Sequence, residues 1–215
     1  MGCMKLPKAD SQLVQIVDAS LRDAAQRAGD WLVCRPGCTQ CCYGAFAINR
    51  LDVLRLQAGM NALRDADPSK AEGIDLRARA WLDAFGMDFP GDRNNGVLGR
   101  SEEERQQFEE FANDAPCPAL DPATGLCDVY EWRPMTCRVF GPPIRMAAGE
   151  GSAPAEGLGH CELCFTGATE AEVAACEMPL PIELEEKILA LIADKSETVV
   201  AFALMDQTPL SDQAD

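Results

Sequence analysis

The stretch Cys34-Arg-Pro-Gly-Cys38-Thr-Gln-Cys41-Cys42 places four thiols within nine residues of the chain. A loop that contains Pro and Gly can turn successive thiolates toward one point, as metal-binding loops do. Cys38 and Cys41 have the C-x-x-C spacing that closes a small chelate ring around a tetrahedral ion. Adjacent side chains point in different directions, so we expect Cys41 or Cys42 to bridge or to serve a second metal.

Five further cysteines extend this pattern toward the C-terminus. Three of them are separated by nine intervening residues each, and the last two form a second C-x-x-C pair. Together with the first stretch they make nine candidate metal ligands: Cys34, Cys38, Cys41, Cys42, Cys117, Cys127, Cys137, Cys161 and Cys164. Cys176 is interpreted as a small buried apolar residue, and Cys3 as a thiol in the disordered N-terminus. Neither is therefore a candidate metal ligand.

Composition restricts the class of protein. The chain has 215 residues, of which 47% are hydrophobic and 25% charged, as in ordinary folded proteins. Its eleven cysteines occur without an apolar leader or membrane span, which favours metal ligation in a cytoplasmic protein over disulfides. A formal charge of −16 disfavours nucleic acid as a partner, and no membrane association is expected.

Apolar periodicity predicts several amphipathic helices around the cysteines. They are expected over 11–32, 51–63, 67–85 and 181–193. Two short helices are expected to begin in capping boxes at Ser101 and Thr169, the second of them containing Cys176. Residues 141–159 have a flexible-loop composition, and the tail after Met205 is polar. The chain is therefore predicted to be a single domain, 1–215, with a metal-binding module at about 34–164 and a helical region at about 168–205.

A turn at Asp121-Pro-Ala-Thr-Gly125 separates two short segments that each carry a cysteine, which predicts a small hairpin over 117–130. The predicted fold is therefore mainly α with a small β-hairpin, its helices arranged around a cysteine-rich, loop-built metal site. A Ser-His-Asp catalytic triad is not predicted, because the chain has a single histidine, His160. Beside a flexible loop, that histidine is read as solvated rather than as a ligand.

The order of the cysteines and the string Cys127-Asp-Val-Tyr-Glu-Trp-Arg133-Pro-Met-Thr-Cys137-Arg138 resemble the CxxCxxCC cysteine-cluster family, also called YkgJ-type. Members of this family are described as zinc- or iron-chelating. The resemblance spans roughly residues 34–164. Three residues separate Cys34 from Cys38, where the family commonly has two. The family includes the cysteine domain of flagellin lysine N-methylases, which resembles an iron–sulfur module.

Two functions follow as alternatives. The first is a metal-binding module, for binding or electron transfer, that acts with a protein partner. The second is an S-adenosylmethionine-dependent protein lysine N-methyltransferase, implied only by the resemblance to flagellin N-methylases, with a protein as its substrate. The irregular spacings and Cys117-Pro118 favour an iron–sulfur cluster over zinc, because zinc sites usually combine two clean C-x-x-C pairs. Arg133 and Arg138 are expected to donate hydrogen bonds to cluster sulfurs or to offset thiolate charge, with pairing to a carboxylate as the alternative for Arg133.

Overall fold

The computed structural model describes residues 6–146 and 157–205. About 53% of this part of the chain is helical. Its α-helices are α1 Asp10–Ala28, α2 Arg50–Ala66, α3 Pro68–Phe85, α4 Glu102–Glu110, α5 Met135–Val139, α6 Glu170–Ala175, α7 Ile182–Ala190 and α8 Val200–Met205. Single 3₁₀ turns occur at Gly29–Trp31, Gln40–Cys42, Gly86–Asp88 and Tyr130–Trp132.

Short antiparallel strand pairs make up the described β-structure. Strand β1 (Ile48–Asn49) pairs with β6 (Glu197–Thr198), so that Ile48 lies opposite Thr198. The other strands are β2 Gly91–Asp92, β3 Val97–Leu98, β4 Ile144–Met146 and β5 Gly157–Gly159, with β2 paired to β3 and β4 to β5. Helices with small two-stranded sheets confirm the predicted mainly α fold.

Local caps determine where several helices begin. The Asp67 side chain accepts a hydrogen bond from the Lys70 amide, and Pro68 occupies the first turn of α3, where no amide partner is needed. Capping boxes begin α4 at Ser101 and α6 at Thr169, each with a glutamate three residues later. These helices start where the sequence predicts.

The chain divides into two compact units. The described residues of the first unit are 6–7, 36–135 and 189–205, and those of the second unit are 8–35, 136–146 and 157–188. The expectation that the whole chain forms a single domain stays a prediction. Within 6–146 and 157–205, no helix has the length and apolar character needed to cross a membrane.

Helices α2, α3 and α8 build the core of the first unit. Its buried apolar residues include Leu56 and Met60 of α2, Ile74 of α3 and Leu204 of α8. A second cluster in this unit is aromatic, with Trp81, Phe89 and Phe111 in edge-to-face contact. The unit therefore has extensive apolar packing that does not depend on a metal.

One close approach sets the position of the turn at Tyr130–Trp132 against α2. Gly59 lies in the middle of α2, and a Cβ atom there would be 2.5 Å from Cγ of Trp132. The ring therefore lies where a side chain on the helix would otherwise be, and glycine is required for this packing. The turn leads directly into Arg133, which is buried.

A smaller apolar cluster lies in the second unit. It contains Ala28 at the end of α1 together with Phe165 and three buried cysteines, Cys161, Cys164 and Cys176. Arg27 donates hydrogen bonds to the carbonyl oxygens of Ala175 and Glu177, which holds the end of α1 to the segment after α6. Burial of Cys176 agrees with its interpretation as an apolar residue, and Cys3 lies outside the described residues.

Several local expectations need correction. The predicted hairpin over 117–130 forms its turn, but its arms meet in one β-bridge, Leu120 to Cys127, and Tyr130 begins a 3₁₀ turn rather than ending a strand. Part of the loop expected at 141–159 is ordered as β4 and β5, and residues 147–156 lie outside the described residues, as does the tail after Met205. Helix α5 was not anticipated, and α8 lies within the helical region expected at about 168–205 although no separate helix was predicted there.

Candidate metal centre

Short antiparallel backbone pairing brings the first cysteine loop of the first unit to the segment around Cys117. The Cys117 amide donates to the Cys42 carbonyl at 2.7 Å, and the Gly44 amide donates to the Ala115 carbonyl at 2.9 Å. Between these bonds, Tyr43 and Pro116 form an isolated β-bridge. Cys42 and Cys117 are therefore held side by side although they are far apart in sequence.

The turn at residues 121–125 returns the chain so that Cys127 lies beside the same segment. The Asp128 amide donates to the Ala119 carbonyl at 2.8 Å, next to the Leu120–Cys127 bridge. Cys117 and Cys127 both pack against the apolar core of this unit. Cys41, Cys42, Cys117 and Cys127 are called the four-thiol group below.

Ionisation of these thiols is mutually dependent. A hydrogen bond from Cys42 lowers the pKa of Cys41 to about 6, and this effect outweighs burial, which acts in the opposite direction. The pKa of Cys42 is raised, first because it shares that hydrogen bond and then by burial and by the charges of Cys41, Cys117 and Cys127. The four thiols are thus close enough to affect one another electrostatically.

Backbone amides provide hydrogen bonds to two of these sulfurs. Burial raises the pKa of Cys117 to about 12, and the amides of Ala119 and Leu120 oppose that rise by donating to its sulfur. Burial likewise raises the pKa of Cys127, opposed first by a hydrogen bond from the Val129 amide. The sequence analysis could not identify these donors. Every residue other than proline has a main-chain amide, so the sequence carries no signal for the ones that reach a sulfur.

Arg133 supplies positive charge to the four-thiol group. It is 7% exposed, and its charge favours the thiolate forms of Cys41 and Cys127. Nη1 donates to the Tyr130 carbonyl at 2.8 Å, and the guanidinium carbon lies 3.8 Å from the centre of the Tyr130 ring. Arg133 therefore has the role expected from the sequence, that of offsetting thiolate charge.

Arg138 has a different environment in the second unit. It is 1% exposed, and Nη1 donates to the Asp18 carboxylate at 2.7 Å. The sequence predicts a role toward the thiolates for Arg138, and its ion pair with Asp18 was not anticipated.

The second unit carries the remaining predicted ligands. The sulfur atoms of Cys34 and Cys164 are 3.8 Å apart. Cys161 and Cys164 are buried, Cys34 is exposed, and Cys137 is half-buried on α5. His160 is exposed, with Nδ1 at 3.0 Å from the Cys161 carbonyl oxygen.

The described part of the chain contains no set of three or more Cys, His, Asp or Glu side chains already converged around one metal position. The structure instead supplies the four-thiol group in one unit and the close pair Cys34 and Cys164 in the other. Cys38 lies in the first unit, and Cys137 and Cys161 lie in the second. Assignment of all nine cysteines as ligands stays a prediction.

Comparison with protein families finds a match to the family CxxCxxCC, described as "Putative zinc- or iron-chelating domain", over residues 33–150. The matched segment includes the four-thiol group, and it ends before Cys161 and Cys164. Neither the curated proteins nor the solved structures contain a match to this chain.

Proposed function

Because this chain belongs to the CxxCxxCC family, we propose that its first unit binds an iron–sulfur cluster and acts as a binding or electron-transfer module. One observation carries the proposal. The four-thiol group gathers cysteines from two distant stretches of the chain, close enough to shift one another's pKa values, beside the buried cation of Arg133. Bringing these thiols together in the thiolate form, as metal binding does, needs a positive charge to balance them.

The ligands would be Cys41, Cys117 and Cys127 with a fourth thiolate from Cys38 or Cys42. Cys41 is the thiol with the lowered pKa and is ready to bind as a thiolate. Cys38 has chelate spacing to Cys41, whereas Cys42 shares a hydrogen bond with it. Thiols with raised pKa values release their protons when a metal binds, so binding of the metal is coupled to proton release.

Three features favour iron and sulfide over a simple zinc ion in this unit. Amide hydrogen bonds to the sulfurs of Cys117 and Cys127 are of the kind that tune iron–sulfur clusters. The cation of Arg133 reduces the net negative charge of a tetrathiolate cluster. The spacing of these cysteines is irregular, and Cys117 is followed by proline.

Exposure of the thiols suits exchange of electrons with a protein partner. Each of the four cysteine residues is half-buried in the unit, although burial of the sulfurs raises the pKa values of Cys117 and Cys127. A cluster held by them would therefore lie close to the surface, where a redox partner can approach it. When bound, the cluster supplies a one-electron couple, while the protein positions the thiolates and adjusts their charge.

The test is anaerobic purification of the full chain, followed by iron, zinc and sulfide analysis and a visible spectrum before and after reduction. We expect brown protein with iron and acid-labile sulfide, which bleaches on reduction. Colourless protein that contains zinc without sulfide would overturn the iron–sulfur proposal. Cys176→Ser serves as a matched control, because it removes a buried thiol outside the proposed ligand set.

A further inference from the structure

One pair of thiols in the second unit combines close contact with very different exposure. Sγ of Cys34 and Sγ of Cys164 are 3.8 Å apart, a distance at which one thiol can donate a hydrogen bond to the other. Cys34 is exposed, whereas Cys164 is 1% exposed. A small reagent in solvent therefore reaches Cys34 first, and Cys164 is already placed to react with the product formed on Cys34.

Backbone hydrogen bonds hold these two cysteines together although 130 positions separate them in the sequence. The Cys164 amide donates to the Cys161 carbonyl at 2.9 Å, which closes a tight turn. The next residue, Phe165, donates its amide to the Trp31 carbonyl at 2.9 Å. This bond attaches the turn to the segment that leads to Cys34, so the contact between the sulfurs is built into the folded unit.

Both cysteines lie in irregular segments, which allows their sulfurs to approach further. Cys34 follows the 3₁₀ turn Gly29–Trp31, and Cys164 lies in the turn between β5 and α6. A disulfide bond of about 2.05 Å requires the two sulfurs to come about 1.8 Å closer than they are. Rotation of the side chains about their Cα–Cβ bonds, with a small shift of either loop, covers that distance.

Gly141 leaves room beside the exposed sulfur. A Cβ atom at this position would be 3.2 Å from Sγ of Cys34, so a side chain there would crowd the thiol. Gly141 also has φ of 127°, which favours glycine. Oxidation of a thiol to a sulfenic acid adds one oxygen atom to the sulfur. The position without a side chain therefore lies where such an oxygen atom needs space.

Charge and surface character favour an uncharged oxidant. The chain has a formal charge of −16, which disfavours the approach of anionic disulfides but not of a neutral peroxide. Val33 and Leu163 precede the two cysteines in the chain, and they are apolar side chains exposed by 42% and 47%. Hydrogen peroxide and alkyl hydroperoxides are small and uncharged, so they match these surroundings.

We propose that Cys34 and Cys164 form a reversible oxidation site for hydroperoxides. Sγ of Cys34 attacks the terminal oxygen of the hydroperoxide, so that an S–O bond forms, the O–O bond breaks, and an alcohol, or water from hydrogen peroxide, leaves with the thiol proton. Sγ of Cys164 then attacks the sulfur of this sulfenic acid, and hydroxide leaves as water with the second thiol proton. The two thiols lose two electrons, and the hydroperoxide gains them.

This site is separate from the cluster proposed for the first unit. Cys34 and Cys164 both belong to the second unit, and neither is among the proposed cluster ligands. The disulfide would join the segment after α1 to the turn before α6, and thiols of a reducing compartment would open it again. The pair would therefore record exposure to an oxidant reversibly, whatever metal the first unit holds.

The test adds a small excess of hydrogen peroxide to full-length protein purified anaerobically, followed by alkylation, non-reducing digestion and mass spectrometry. We expect a linked Cys34–Cys164 peptide, lighter by two hydrogen atoms than the two reduced peptides together, and its loss after dithiothreitol. In Cys164→Ser, oxidation should stop at a sulfenic acid on Cys34 that dimedone traps. Cys34→Ser should give no linked peptide and leave Cys164 reduced. Because Cys34 is exposed, this variant keeps the test valid even where Cys164→Ser fails to fold.

Cys176→Ser is the matched control, since Cys176 is a buried cysteine of the apolar cluster that contains Cys164. It should form the linked peptide as the wild type does. Wild-type protein in which Cys34 stays reduced under excess peroxide, including protein in which a bound metal protects it, would overturn the proposal. So would irreversible oxidation of Cys34 to a sulfinic acid, or a disulfide from Cys34 to a cysteine other than Cys164.

Discussion

The thiols of the two units differ in what surrounds them. In the first unit, sulfur atoms accept hydrogen bonds from main-chain amides and lie near the charge of Arg133. In the second unit, Cys161 and Cys164 are packed among apolar side chains, and the sulfur atoms of Cys34 and Cys164 are 3.8 Å apart. Polar, charge-balanced surroundings suit a cofactor that changes its charge, whereas a cysteine packed among apolar side chains behaves as a small buried apolar residue.

The two arginines of one short motif show the same contrast. Arg133 lies over the Tyr130 ring and acts on the ionisation of nearby thiols. Arg138, five residues later, is buried and paired with Asp18 of α1. The motif therefore supplies one charge to the chemistry of the first unit and another to the stability of the second.

Replacement of Cys117 should give the largest effect. Cys117→Ser removes a buried sulfur that receives two amide hydrogen bonds, so we expect loss of nearly all iron, sulfide and visible absorption. Metal analysis of the purified variant beside Cys176→Ser provides the measurement. Iron at the wild-type level in Cys117→Ser would contradict the assignment of the four-thiol group.

Removal of Arg138 should act on stability rather than on the iron site. Arg138→Ala leaves the Asp18 carboxylate without this partner and should lower the free energy of unfolding by about 3 kcal/mol, measured by urea denaturation. Arg138→Lys keeps the charge and should lose less. A variant that keeps wild-type stability but loses iron would reverse the roles given to the two arginines.

Removal of Arg133 should shift a potential. A nearby cation stabilises the more negative, reduced cluster, so Arg133→Gln should lower the reduction potential by tens of millivolts, measured by an electrochemical titration. Arg105→Gln is the control, because it removes the same charge from an exposed position on α4. Equal potentials in Arg133→Gln and the wild type would argue against a charge-balancing role.

The capping boxes should give the smallest effects, and similar ones in both units. Ser101→Ala in the first unit and Thr169→Ala in the second should each lower the free energy of unfolding by about 1 kcal/mol without changing metal content. Metal loss in either variant would show that the cap also positions thiols.

These caps also predict a dependence on acidity. Hydrogen bonds from Ser101 hold the pKa of Glu104 below its ordinary value. A lowered folded-state pKa gives stability that is present above the ordinary carboxylate pKa and lost as pH falls through the folded value. The wild type should therefore be more stable than Glu104→Gln above the ordinary carboxylate pKa, and this difference in the free energy of unfolding should shrink in acid. A difference that stays constant across that range would contradict this.

Local features were predictable from the sequence, and long-range features were not. The starts of α4 and α6 follow from residues within one turn of Ser101 and Thr169. Helix α8 lies in a region predicted to be helical, but it could not be predicted as a separate helix, because Val200-Ala-Phe-Ala-Leu-Met205 is uniformly apolar and shows no helical period. For the same reason, the sequence pattern does not predict that α8 is buried against α2 and α3.

The candidate ligands themselves were predictable from their spacing, but their grouping was not. Pairing of residues 42–44 with 115–117 depends on backbone hydrogen bonds between segments remote in sequence. Nothing in the local pattern indicates that Cys42 meets Cys117, or that Cys34 meets Cys164. Spacing identifies thiols that can chelate, and tertiary structure decides which of them do so together.

Gly59 has an evolutionary consequence. Because the Trp132 ring occupies the space that a side chain at position 59 would need, selection acts on positions 59 and 132 together. In relatives that share this packing, we expect them to change together, with a larger residue at position 59 accompanied by a smaller one at 132. A substitution at Gly59 alone would displace the turn that carries Arg133. A mutation in helix α2, which has no cysteine, would therefore impair the metal centre.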